Sequence, residues 1–304
     1  MKFGVASLCA WLALATTMCE AQEVIQVTWP TRFAARPPAF SKAASELLPA
    51  FRVALAVLPE SNIVSLALSQ PTLLGMTSAD ARRMLSLCGE RYQLIKNDPV
   101  FRQVPSSLPH CYSERTPTNG LALVYRPRNC DSNTPCLLFL HGYGGSFLWY
   151  QHLLAEAFPD HLIVCPACGV SGASASVVYV SECITSVRRT LGHSFAPPTL
   201  VGLSAGGFGA TRVYTQSAET FARLVLLAAY PPADTLPRFH KGMSVYAVAG
   251  SREDYVRSDL FRRSLETVRP RVDALEFHIL PEADHYFLLA RRNETVRLIR
   301  SWLK

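Results

Sequence analysis

The chain has 304 residues, 49% hydrophobic and 17% charged, with a formal net charge of +7. That composition is globular, and the length suits one large domain with an attached segment that needs no staples to bury a core. The basic residues come as scattered pairs (Arg82 and Arg83, Arg188 and Arg189, Arg262 and Arg263, Arg291 and Arg292) in helix-like stretches. With no zinc finger, aromatic RNA platform or basic heptad beside them, they give no support for nucleic-acid binding.

Lys2 precedes an apolar run over 3–17, and the small residue Ala21 follows. This pattern predicts a cleaved signal peptide over 1–21, hence a secreted or periplasmic protein. The run is shorter than the roughly 20 residues of a membrane span, so no stable membrane insertion is expected. An uncleaved anchor is the alternative. Residues 22–115 read as an N-terminal helical extension. Stretches over 40–58, 61–69 and 78–96 have helical character, broken by Pro59 and by residues 71–75.

From 116 to 304 short apolar runs of strand length alternate with helices. The runs fall at 121–125, 136–140, 162–165, 199–203, 224–228, 245–249 and 275–280. The clearest helix carries Val177, Val180, Ile184, Val187 and Leu191 at steps of three and four, which makes one apolar face. Strands and helices in this order predict an α/β domain with a mostly parallel sheet covered on both faces. In such sheets the ligand site lies at the carboxyl ends of the strands.

The candidate chemistry falls at those ends. The run at 199–203 enters Gly202-Leu203-Ser204-Ala205-Gly206 and then a helix-like stretch. A nucleophilic serine needs such a sharp strand-to-helix turn, with glycines where the backbone doubles back on itself. Earlier, the run at 136–140 leads into His141-Gly142-Tyr143-Gly144-Gly145. The backbone N–H of Tyr143 and that of Ala205 are the expected pair of oxyanion donors, since a tetrahedral intermediate concentrates charge on one oxygen. His285 follows the last strand and is the expected base. After the run at 245–249, Glu253 and Asp254 are adjacent acids. Asp254 is the expected triad member, its short side chain suiting a fixed position, and Glu253 is the alternative. Asp284 adjoins His285 in sequence and therefore points elsewhere.

Seven cysteines follow residue 21, and in an exported chain some should pair. Cys130 and Cys136 bracket a Pro-containing turn and are the expected local disulfide. Cys165 and Cys168 have redox-motif spacing without a thioredoxin-like setting, so a structural role is expected. No His-Glu-x-x-His stretch and no Walker loop occurs, so neither a catalytic metal nor a phosphate-cradling loop is expected.

Together Gly202-Leu203-Ser204-Ala205-Gly206, His141-Gly142 and Asp254 with His285 resemble the α/β-hydrolase superfamily over about 116–304. Within it the chain is similar to secreted esterases and to dienelactone-hydrolase-like or polyester-depolymerase-like members. The resemblance implies an eight-stranded sheet, acyl-enzyme chemistry, no cofactor, and a small-molecule or polymeric ester as substrate. A peptidase or acyltransferase with the same triad, or a non-catalytic binding module on this scaffold, are the alternatives.

Overall fold

A computed structural model describes residues 21–33, 42–74 and 76–304. The apolar run at 3–17 lies outside the described residues. No helix among those described is long and apolar enough to cross a membrane.

The seven strands expected from the apolar runs all form. They are β2 (Asn119–Arg126), β3 (Cys136–Leu140), β4 (Leu162–Pro166), β5 (Thr199–Leu203), β6 (Arg223–Leu227), β7 (Ser244–Gly250) and β8 (Ala274–Leu280). An eighth, β1 (Glu23–Pro30), precedes them, and the sheet order is β1-β2-β4-β3-β5-β6-β7-β8. The β1–β2 and β2–β4 pairs are antiparallel, and the others are parallel.

Helices cover both faces. On one lie α6 (Val177–Leu191), α7 (Ala205–Tyr214) and α8 (Ser258–Val268), whose Tyr179, Val180, Val213 and Phe261 share a core layer with Leu138 and Leu140. On the other lie α5 (Leu148–Ala157), the short α9 (Phe287–Ala290), α10 (Arg292–Trp302) and α3 (Ser78–Asn97), whose Leu153, Phe287, Trp302 and Tyr92 pack with Leu137 and Phe139. The alternation of Leu137 to Leu140 between the two layers is the period-2 geometry of a strand buried on both sides. Ser176 caps α6 by accepting from the Tyr179 N–H, and Gly192 ends it at φ 76°.

Two expectations need correction. Residues 22–115 are not helical throughout, because their first part supplies β1. Val27 and Trp29 point inward there while Gln26 and Thr28 face out, an alternation that fits a strand. The remainder does form helices: α1 (Lys42–Val57), α2 (Glu60–Leu68), α3, and the short α4 (Leu108–Cys111). Second, no disulfide joins Cys130 to Cys136, for Cys136 is a buried thiol at the start of β3. The turn between them is closed by hydrogen bonds instead. The Asp131 N–H donates to Thr134 Oγ1, and Asn133 N–H and Thr134 Oγ1 donate to Asp131 Oδ1.

Trp29 makes β1 integral to the fold. Its ring occupies the space above Gly120 of β2, where a Cβ would stand 2.1 Å from Trp29 Cε2, and it packs on Tyr179 of α6. Trp29→Ala should therefore cost about 3–5 kcal/mol, the usual penalty for emptying a buried aromatic site. Urea unfolding of the two proteins would measure it, and a change well under 1 kcal/mol would mean that β1 is dispensable.

Candidate active site

Ser204 sits between β5 and α7 at φ 51° and ψ −120°, a conformation that side-chain-bearing residues rarely adopt. Close packing holds it there. A Cβ on Gly202 would lie 2.6 Å from the Gly206 carbonyl oxygen, and one on Gly206 would lie 2.1 Å from that of Leu140. The sequence places glycine where no side chain fits, and the turn then aims the serine hydroxyl above the carboxyl end of the sheet.

Two loops bring the partners. The loop after β8 carries His285, whose Nε2 is 2.9 Å from Ser204 Oγ. The loop after β7 carries Glu253, whose Oε2 is 2.7 Å from His285 Nδ1. With its Nδ1 proton donated to the carboxylate, the imidazole presents Nε2 as acceptor for the serine hydroxyl. The Glu253 side chain is fully buried, and that of His285 is nearly so. The expected Asp254 is not the partner: it is exposed, and the residue before it makes the contact. The reason is reach. Glu253 stands three residues past the end of β7, and its longer side chain turns back under the loop, where Oε1 faces the Gly250 N–H at 3.5 Å. Asp284 is held apart as expected, in an ion pair with Arg83 of α3 and in a bond from the Tyr286 N–H.

The glycine-rich loop after β3 stands directly against the nucleophile, since a Cβ on Gly142 would lie 3.5 Å from Ser204 Cβ. His141 organises it in a way the sequence alone did not reveal. Fully buried, it accepts the Cys168 N–H at Nε2, so its proton is on Nδ1, 2.8 Å from the Gly142 carbonyl oxygen. The Gly172 N–H also points at that oxygen. In a trans peptide the N–H opposes the C=O, so this anchoring directs the Tyr143 N–H away from His141. Ala205 opens α7, where the first N–H groups have no partner within the helix. Tyr143 and Ala205, whose N–H groups the sequence suggests as oxyanion donors, thus flank Ser204, one earlier in the chain and one immediately after it. Tyr255 lies in an exposed position with its ring 4.8 Å from that of His285, and Tyr143 is exposed too. Among the described residues, no group of three or more His, Cys, Asp or Glu is placed to hold a metal ion. A cavity of about 510 Å³, lined by Arg91, Arg291, Arg292 and Arg297, is bordered by no member of the Ser204–His285–Glu253 cluster.

Burial lowers the His141 pKa to about 4, well below the ordinary value. A histidine depressed in this way stabilises the fold fully above the unfolded pKa of about 6.5. The contribution drains away as the pH falls toward 4, at no more than about 1.4 kcal/mol per pH unit, because the unfolded chain binds the proton first. Urea midpoints followed across this range should therefore fall less steeply for His141→Asn than for the parent. Equal slopes would show that His141 is not a source of the acid sensitivity.

No protein-family model matches the chain, and no curated protein matches it in sequence. Solved structures match it in fold. A highly thermostable carboxyl esterase from Bacillus coagulans superposes with a TM-score of 0.52 at 11% identity, over 61% of this chain and 93% of that one. An esterase from Pyrobaculum calidifontis gives 0.48 at 15% identity, over 60% and 80% of the two chains. A CIB-like hydrolase from Thermoplasma acidophilum gives 0.49 at 15% identity, over 60% and 92%. The first of these likenesses, together with the eight-stranded order and the elbow that ends β5, identifies the fold: this chain has the architecture of the α/β-hydrolase fold.

Proposed function

We propose that the protein is an exported serine hydrolase that cleaves carboxylic esters through an acyl-enzyme. The observation that carries this reading is the continuous relay Ser204–His285–Glu253, with bonds of 2.9 and 2.7 Å, mounted on a strained elbow. In the first step Ser204 Oγ attacks the ester carbonyl while His285 Nε2 takes its proton. The Tyr143 and Ala205 N–H groups hold the resulting oxyanion. His285 then returns the proton to the departing alkoxide, and the C–O bond breaks to leave Ser204 acylated. Water, deprotonated by the same Nε2, releases the acid by the reverse sequence. Glu253 keeps the tautomer and stabilises the imidazolium at each passage. Export is supported by the residue pattern at the N-terminus.

The triad itself does not choose a leaving group, so a peptidase or acyltransferase would use the same parts. Ser204→Ala should lower ester turnover by about a millionfold, the usual loss for a triad nucleophile, with the fold intact. Glu253→Gln should cost about ten-thousandfold through loss of tautomer control, whereas Asp254→Asn should change turnover little. The reverse ranking of the two acids would refute the assignment, and a parent protein without turnover on any ester or amide would favour a binding module.

The acyl group expected is short or exposed. Among the described residues, the connection from β6 to β7 holds turns and one short 3-10 helix at Leu236–Arg238 but no α-helix, and Pro231, Pro232 and Pro237 stiffen it. No helical cap is built there to wrap a long chain, each methylene of which would otherwise add about 0.8 kcal/mol on burial. Rates on para-nitrophenyl esters from acetate to palmitate should peak at the short end. A maximum at laurate or longer would overturn this part of the reading.

A further inference from the structure

The glycine-rich loop is gripped from two sides. One side belongs to the sheet domain: the Gly144 N–H donates to the Val170 carbonyl at 2.8 Å, and Tyr143 bridges to Ser171. The other side belongs to the chain that precedes β2. The Tyr112 hydroxyl donates to the Gly144 carbonyl at 3.0 Å, and the Ser107 hydroxyl donates to that of Ser146. The Cys111 sulfur lies against the Ser146 backbone N–H. Leu108 fills the space beside Gly145, where a Cβ would stand 2.7 Å from its Cδ2. Just beyond, Glu60 of α2 accepts the Leu148 N–H at 2.7 Å and so caps the first turn of α5, whose own N-cap residue Phe147 offers no side-chain bond. A carboxylate there also complements the positive end of the helix. Glu60 is itself held by the Tyr92 and Ser106 hydroxyls.

The grip falls where the loop is least restricted by its own side chains. Gly144 and Gly145 stand at φ 103° and 114° without a Cβ to restrict them, so the peptide between them can rotate at little cost. The two preceding peptides are pinned by His141 and Gly172 and by Val170. The third is pinned by the Tyr112 hydroxyl. We propose that residues 107–112 position the oxyanion loop, with Tyr112 as the principal positioning residue acting through Gly144 on the Tyr143 N–H. This rests on the serine-hydrolase reading above. It gives the N-terminal segment a part in the chemistry: the sheet domain would carry the triad, and the segment before it would keep one oxyanion donor aimed.

The test uses the full chain and the variants Tyr112→Phe, Ser107→Ala and their combination. Phenylalanine keeps the ring that packs edge-on against Phe51 at 5.0 Å and removes only the hydroxyl. Hydrolysis of para-nitrophenyl acetate is measured per competent site, counted by titration with a fluorophosphonate, which separates mispositioning from loss of folded protein. Tyr112→Phe should lower kcat per site about tenfold, and the pair about a hundredfold, the scale of a misplaced oxyanion donor. KM should stay within about twofold, because uniform substrate binding is untouched. If the parent titrates at Ser204 and the double variant keeps its kcat per site, the inference is overturned while the hydrolase reading stands. A drop confined to the number of titratable sites would overturn it equally, since the residues would then be structural only. If the parent itself fails to titrate, the hydrolase reading falls and takes this inference with it.

Discussion

The backbone at Ser204 is the constraint on which the rest of the molecule depends. A serine held at φ 51° and ψ −120° is costly, on the order of 1–3 kcal/mol, and it persists only where the surroundings over-determine it. Here they do. The Ser204 N–H is bonded to the Leu227 carbonyl of the neighbouring strand, and the Gly207 N–H closes back on the Ser204 carbonyl. Gly172 and Gly209 let the segment after β4 press against the elbow, since a Cβ on either would fall within 2.2 Å of a carbonyl oxygen. The elbow is therefore a point where β3, β5, α7 and the 170–174 segment meet with no space to relax. The loops bearing His285 and Glu253 then need only reach a hydroxyl whose direction is already fixed.

The parts of this arrangement that are regular were legible in the sequence. Strands buried on both faces read as unbroken apolar runs, and all seven such runs became strands. The elbow was legible because strand, Gly-x-Ser-x-Gly and helix occur in one short stretch. What escaped was set by contacts between segments distant in sequence. β1 is an edge strand with one wet face, so its apolar residues alternate, and beside a helical stretch it was absorbed into the extension. The choice between Glu253 and Asp254 turned on how far the loop after β7 travels before turning inward. Adjacent residues point to different sides, and composition does not say which side holds the histidine. The role of His141 was hidden because its bonds go to Gly142 next door and to Cys168, which the chain reaches only through the whole of α5 and β4.

Cysteine usage is instructive in the same way. Burial raises the Cys88, Cys111, Cys136, Cys165, Cys168 and Cys183 thiols far above the ordinary range, to about 12 for Cys88 and Cys111. They are small core residues with almost no thiolate at neutral pH, poor nucleophiles and poor candidates for exchange. The 165–168 pair fits that description. Cys165 lies in β4, and the Cys168 N–H serves the buried imidazole of His141. Both side chains are buried in the core layers, which fits the structural role.

The order in which the polypeptide is made gives the helices before β2 a particular history. Cys88, Tyr92 and Ile95 of α3 share their apolar layer with Ile299 and Trp302 of α10, and the Arg83–Asp284 pair is separated by 201 residues. A ribosome adding about 5–20 residues per second needs roughly 10–40 s to cover that distance. Over that interval α3 has been made while its partners in α10 are still unwritten. Earlier elements such as α2 and α5 can cover part of that side of α3, but the share that α10 covers stays open until α10 is made. Completing this layer therefore requires α10 to return against a helix laid down much earlier in the chain.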